Sequence, residues 1–288
     1  MSPQGAPSAR GGLASGRPRP RTGQASGDPR TLSPFDIALL VAAGLLGGAA
    51  NALAGGGTFF TFPAMLEVGL PPVTANASNA VALYPGRFPS VWAGRRELLQ
   101  MRSRLLRTCL IAALGSLAGA WLLLATKERV FTSLIPWLLL FATALFAFGG
   151  QLVAATQRLA PKRGARGAGL VLALLFESLI AIYGGYFGAG AAFMVMAGHA
   201  MTGIEDVRKN VALKNLSITV MTTVSVIVFI AAGAVAWRET LVMMLGALPG
   251  GYLGARLAQR LDPVKLRWFI LAIGAALTVY YFWKVYLS

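Results

Sequence analysis

The 288-residue chain predicts an all-α, polytopic helical membrane protein, built as two inverted repeats of about five segments each with glycine-broken helices. Three observations carry this expectation. The chain is 56% hydrophobic and only 12% charged, too little charge to cover the surface of a water-soluble domain of this length. Long apolar runs are separated by short basic connections. Two of the runs are half-length, and each follows a cluster of glycines.

Residues 1–33 stand apart. Their "RGGLASGRPRPRTGQASGDPR" is rich in Gly, Pro, Ser and Arg and has no apolar periodicity, so a disordered basic tail is expected. It lacks the charged start, short apolar core and small-residue cleavage site of a signal peptide. From Asp36 onward ten apolar segments follow: 36–54, 57–69, 74–92, 106–126, 130–154, 168–187, 190–202, 210–233, 240–256 and 266–286. Most reach the roughly 20 helical residues that cross a bilayer. The second and seventh do not. At 1.5 Å per residue, 58–68 makes a helix of about 16 Å, half a membrane.

The halves resemble one another. A shift of 134 residues lays Gly56 on Gly190, Phe59 on Phe193, Gly69 on Gly203, Val73 on Val207 and Asn76 on Asn210. "GSLAGAWL" from Gly115 matches "GGYLGARL" from Gly250 at a shift of 135. In-register matches over this length predict an internal duplication. The division expected is a first transmembrane repeat over 34–155, a basic cytoplasmic linker at 156–167 and a second repeat over 168–288. Five segments per half is odd, so the halves insert with opposite topology. Seventeen of the 26 Lys/Arg fall at 87–107, 156–167, 205–214 and 256–267, and four in the other connections and at the C-terminus. That asymmetry places the four basic regions in the cytoplasm and leaves the tail outside. A competing count takes each broken pair as one crossing, with eight spans and a cytoplasmic tail.

The breaks are the candidate sites. "NALAGGGTFFTFP" (51–63) and "YGGYFGAGAAFMVM" (183–196) free backbone groups that hydrocarbon cannot satisfy. Each half-helix after a break begins with unpaired N–H donors and a partial positive charge, suited to an anion. Two such breaks in corresponding places point to a transport site at mid-membrane. Around them the substrate-binding candidates are Asn51, Gly56, Gly57, Thr58, Asn76, Asn79, Gly190, Asn210 and Lys214. Amides and hydroxyls donate to oxyanions, and Lys214 adds a charge one turn inside its segment. Arg208 and Lys209 read as interfacial anchors, and Arg87, two turns from the loop at Gly94, as a snorkelling side chain. Glu177, near the middle of the sixth segment, is the candidate proton carrier. Glu67 is expected at the interface, and His199 either as a packed neutral ring or, by its ordinary pKa, as a proton relay.

One histidine, ten acidic residues and one cysteine leave little material for catalysis, metal binding or a disulfide. No catalytic motif is present, so the chain is not expected to be an enzyme or to need a cofactor or metal. The net charge of +16 lies in membrane loops and does not imply nucleic acid. Its expected partners are an anion, protons and membrane lipid, and association as a homodimer stays open.

"AGGGTFFTFPAMLEVGLPPVTANASNAVALYPG" (54–86) and "GGYFGAGAAFMVMAGHAMTGIEDVRKNVALKN" (184–215) resemble the TauE/SafE family of sulfite exporters and toluene-sulfonate uptake permeases. The likeness extends over about 34–286. In the second copy Ala189 and Ala191 flank Gly190, and Ala197 stands where the first has Pro63. The resemblance implies proton-coupled export of sulfite or organosulfonates across a bacterial inner membrane. Rival readings are an anion channel on the same breaks and a membrane scaffold without transport.

Overall fold

The computed structural model describes residues 32–159, 167–204, 206–257 and 263–287. The expected tail (all but its last two residues) and most of the expected basic linker lie outside the described residues. The described chain is all-helical. In order it forms α1 (Pro34–Ala54), α2 (Thr58–Glu67), α3 (Pro72–Leu83), a 3-10 turn (Tyr84–Arg87), α4 (Phe88–Ala93), α5 (Arg95–Leu99) and α6 (Arg102–Ala125). Then come α7 (Glu128–Leu159), α8 (Ala168–Tyr186), α9 (Ala191–Met201), α10 (Val207–Ala231), α11 (Trp237–Leu257) and α12 (Pro263–Tyr286). Among the described residues six helices are long and apolar enough to cross a membrane: α1, α6, α7, α8, α10 and α12. Leu106, Leu114, Trp121, Leu179, Leu245 and Trp268 lie exposed on the outer faces, where lipid takes the place of water.

Local chemistry sets the helix ends. Ser33 caps α1 in a reciprocal box: its hydroxyl accepts from the Asp36 N–H at 3.1 Å, and the Asp36 carboxylate accepts from the Ser33 N–H at 2.9 Å. Asp206 caps α10 through the N–H groups of Arg208 and Lys209. The short helices α2 and α9 stop in the same way. Leu70 N–H bonds the Met65 carbonyl and Ile204 N–H the His199 carbonyl, both at 3.2 Å, with Gly69 and Gly203 left-handed at φ +89° and +87°. Each pair lies 134 residues apart, so one capping motif occurs twice.

The broken pairs are hairpins. Gly47 of α1 lies against Thr61 and the Gly57 carbonyl, which brings α2 back alongside α1. Gly198 of α9 likewise lies against Phe176, Glu177 and Ile180 of α8. A chain passing straight through would hold Gly47 and Thr61 about 20 Å apart, so the eight-span count with single crossings is corrected. Pro85 and Gly86 interrupt the third segment, as expected of a Pro–Gly pair, and split it into α3 and α4 through the 3-10 turn.

Helix pairing is reciprocal between the halves. α1 packs along α11 and α8 along α6; α3 meets α11 and α10 meets α6; α2 touches α12 and α9 touches α7; α7 and α12 pack on each other. Small residues permit the closest pairings. Gly44, Gly48, Gly250 and Gly254 bring the α1 and α11 backbones together, and Gly115, Gly119 and Gly185 do so for α6 and α8. Gly115 and Gly119 are the residues that the 135-residue shift lays on Gly250 and Gly254. Phe146 is met edge-to-face by Phe59 of its own half at 5.7 Å and by Phe193 of the other half at 5.2 Å, two residues matched by the 134-residue shift.

Candidate functional site

The two breaks use their glycines for turning and for close approach. Gly55 closes α1 at φ +79°, while Gly188 and Gly190, both at +75°, turn the chain from α8 into α9. A side chain at Gly57 would put its Cβ 2.5 Å from the Gly47 carbonyl, and at Gly56 3.0 Å from both Ile270 and Phe146. Gly190 is similarly closed in by the Ala142 carbonyl and Leu145. The Cβ sides of Gly56, Gly57 and Gly190 are thus occupied by neighbouring groups. The first residues of the half-helices, Thr58 and Ala191, look into a common space.

That space is a central cavity of about 40 Å³ between the breaks. Thr58, Asn76, Asn79, Arg87, Thr222 and Ser225 supply its polar wall. Asn76 is buried and donates to the Tyr186 carbonyl at 2.9 Å, tying α3 to the end of α8 across the two halves. The Thr61 hydroxyl bonds the Asn79 carbonyl oxygen, which leaves the Asn79 amide hydrogens for the cavity.

A larger cavity of about 460 Å³ adjoins it. Asn51, Arg87, Ser90, Lys214, Asn215 and Arg267 supply its polar wall, and among the described residues no carboxylate lines it. Arg87, Ser90, Lys214 and Arg267 lie within regions that the charge pattern assigns to the cytoplasm, and Asn215 lies beside one. Arg267 is pinned in place, its Nε donating to the Phe146 carbonyl at 3.1 Å and its Nη2 to the Ala147 carbonyl at 2.7 Å. Asn215 donates to the Ser90 carbonyl at 3.3 Å. Three cations without a carboxylate make a positive field, which a small anion entering this chamber would neutralise.

Arg87 belongs to both cavities. Its Nε is shielded from solvent and has no hydrogen-bond partner among the described residues. A buried guanidinium N–H without an acceptor is costly, so the reading of Arg87 as a snorkelling side chain is corrected. Its signal in the sequence is the Pro85–Gly86 pair, which turns the following residue away from the α3 axis. Arg267 gave no such signal, because an arginine at the end of a basic loop looks like any other cytoplasmic charge.

The sequence candidates therefore separate. Thr58, Asn76 and Asn79 meet at the central cavity, and Asn51 and Lys214 at the larger one. Asn210, the match of Asn76, goes elsewhere. It is fully buried, donates to the Met196 carbonyl at 2.9 Å and holds the His199 ring at 3.3 Å, so its expected place beside Asn76 is corrected. Glu177 is buried in a third cavity, with His199 and Ser217, away from both. Glu67 is exposed and pairs with Lys284 at 3.2 Å, at the interfacial end of α2.

Comparison with known proteins agrees with this architecture. The chain is 26% identical over 245 residues to a probable membrane transporter protein of Haemophilus influenzae, covering 84% of this chain and 92% of that one. It is 26% identical over 254 residues to the probable membrane transporter protein YfcA of Escherichia coli K12, covering 86% and 90%. A probable membrane transporter protein, ORF9, of a Sinorhizobium species is 26% identical over 244 residues, covering 84% and 91%. No solved structure matches the chain. The family model described as sulfite exporter TauE/SafE matches residues 40–281, nearly all of the helical body, and the chain belongs to this family of multi-pass membrane transporters.

Proposed function

We propose that the protein is a secondary carrier that exports small sulfur-containing anions, sulfite or organosulfonates, across a bacterial inner membrane by alternating access. The observation that carries this reading is the pair of adjoining cavities that meet at Arg87, with three cations and no acid among the described residues that line the larger one. Planar bidentate recognition by Arg87 suits an oxyanion. Asn51 and Lys214 receive the anion on the cytoplasmic side. Thr58, Asn76 and Asn79, beside the half-helix N-termini, hold it at the centre. The narrowness of the central cavity supports a carrier, since an anion passes it only when the surrounding helices separate. The reciprocal pairing of α1 with α11 and of α8 with α6 supports two oppositely inserted repeats, one rocking against the other.

The test is uptake of radiolabelled sulfite by proteoliposomes, measured as counterflow against internal unlabelled anion and as current. A carrier gives saturable counterflow. Steady current without exchange would replace it with a channel. Failure of sulfite and of organosulfonates to move through folded protein would leave the scaffold reading.

A further inference from the structure

Apart from the anion path, α6, α8, α9 and α10 enclose a cavity of about 10 Å³, close to the room that one water molecule needs. Glu177, His199, Ser217 and Thr108 are its polar lining. Glu177 is only 7% exposed, and neither carboxylate oxygen has a hydrogen-bond partner among the described residues. Gly198 makes the room, since a Cβ there would lie 3.1 Å from the Glu177 Cγ.

The charged groups facing Glu177 come from two helices. α6 brings Arg104 and Arg107, whose charges act on it from outside hydrogen-bond range. Arg104 is engaged with the Thr202 carbonyl at 3.0 Å. α9 brings His199, and α10 brings no titratable group, only Ser217. An ionised carboxylate is poorly solvated in such a place, whereas a protonated one is tolerated.

His199 is built to exist in two protonation states. Its Nδ1–H donates to the Asn210 carbonyl oxygen, whose orientation is fixed because the amide nitrogen donates to Met196. Its Nε2 lies 3.3 Å from the Ser217 hydroxyl, which is also 2.9 Å from the Leu213 carbonyl. With a neutral ring, Ser217 donates to Nε2. With a protonated ring, Nε2–H donates to Ser217, which turns its own proton to Leu213. Rotating one hydroxyl satisfies both states.

We propose that Glu177, with His199 as its relay partner, is a proton-binding site separate from the anion cavities and walled from them by Met221. The proton binds a Glu177 carboxylate oxygen and passes through a water molecule in the cavity to His199 Nε2. Only O–H and N–H bonds form and break. Met221 lines both this cavity and the central one, and its sulfur lies against Gly184 of the central wall. The role in coupling rests on the carrier reading above; the proton site itself does not.

The experiment therefore has two arms on full-length protein. In the first, the infrared difference between wild type and Glu177→Gln in detergent near neutral pH shows a protonated carboxylic acid that is lost in the variant. Absence of that band overturns the proton site whether or not the protein transports. In the second, proteoliposomes of both proteins, matched for monodispersity and melting temperature, are compared for counterflow at equal pH and for accumulation driven by a pH gradient. The expected result for Glu177→Gln is counterflow equal to wild type with loss of gradient-driven accumulation. Unchanged accumulation, or loss of counterflow together with it, overturns the coupling role. If wild type shows neither flux, the carrier reading and the coupling role fail together, and the infrared arm alone decides the proton site.

Discussion

Replacing Arg87 with Gln removes one guanidinium from the junction of the two anion cavities while keeping a shorter, uncharged polar side chain. Its Nε is shielded and has no acceptor among the described residues, so a bound oxyanion supplies one. Hydrogen bonds to charged groups contribute about 1.5–3 kcal/mol each, and a forked guanidinium makes two. Lys214 and Arg267 remain in the larger cavity, and water reaches that chamber, so the lower value for each bond is appropriate. Two bonds at the lower value amount to about 3 kcal/mol, or roughly 150-fold in affinity. The KM for sulfite counterflow should rise by about that factor in Arg87→Gln. Arg87→Lys, which keeps the charge and loses the fork, should lie between, near tenfold. Concentration-dependent initial rates in proteoliposomes measure both. A KM for Arg87→Gln within about twofold of wild type, in folded protein, would refute the placement of the anion at Arg87.

Other perturbations read the architecture. Gly48→Ala drives a methyl into the Ala247 carbonyl of α11, and Gly119→Ala drives one into the Ile182 carbonyl of α8. Overpacking of this kind costs about 1–3 kcal/mol, so each variant should melt several degrees lower in detergent; unchanged melting would deny the close α1–α11 or α6–α8 approach. Gly69→Ala and Gly203→Ala each force a left-handed residue to carry a side chain, at about 1–2 kcal/mol. The two losses in thermal stability should be alike because the caps are alike, and a large difference between them would count against the repeated motif. Met221→Ala should join the proton cavity to the central one and give a proton leak in the absence of anion, detectable with a pH-sensitive dye inside liposomes. A leak no greater than wild type would show that Met221 is not the wall.

Much of the fold was legible because a bilayer restricts the possibilities. Backbone groups in hydrocarbon must be satisfied within helices, so apolar runs of the right length announced the long helices. The glycine breaks were equally visible. Their use was not. Whether a glycine turns the chain, admits a neighbouring backbone or exposes an N–H to a ligand depends on what lies against it. Gly57 faces Gly47 of the same hairpin, while Gly56 meets Ile270, more than two hundred residues away.

The sequence by itself determined the class of the protein: a helical membrane transporter with glycine-broken helices and few acids near the breaks. These properties follow from composition, spacing and chain-local sterics, which act on every residue regardless of its distant neighbours. Only the tertiary structure decided the membership of each cavity. It turned Arg87 inward, carried Asn210 away from Asn76 to the side of His199, and set Glu177 beside a space of its own. The physical reason is that a polar side chain in a membrane interior goes where its hydrogen bonds can be made, and its partners come from helices far apart in the chain. Asn76 finds the Tyr186 carbonyl 110 residues on, whereas Asn210 finds Met196 one helix back. Matching residues of a duplicated sequence thereby acquire different surroundings.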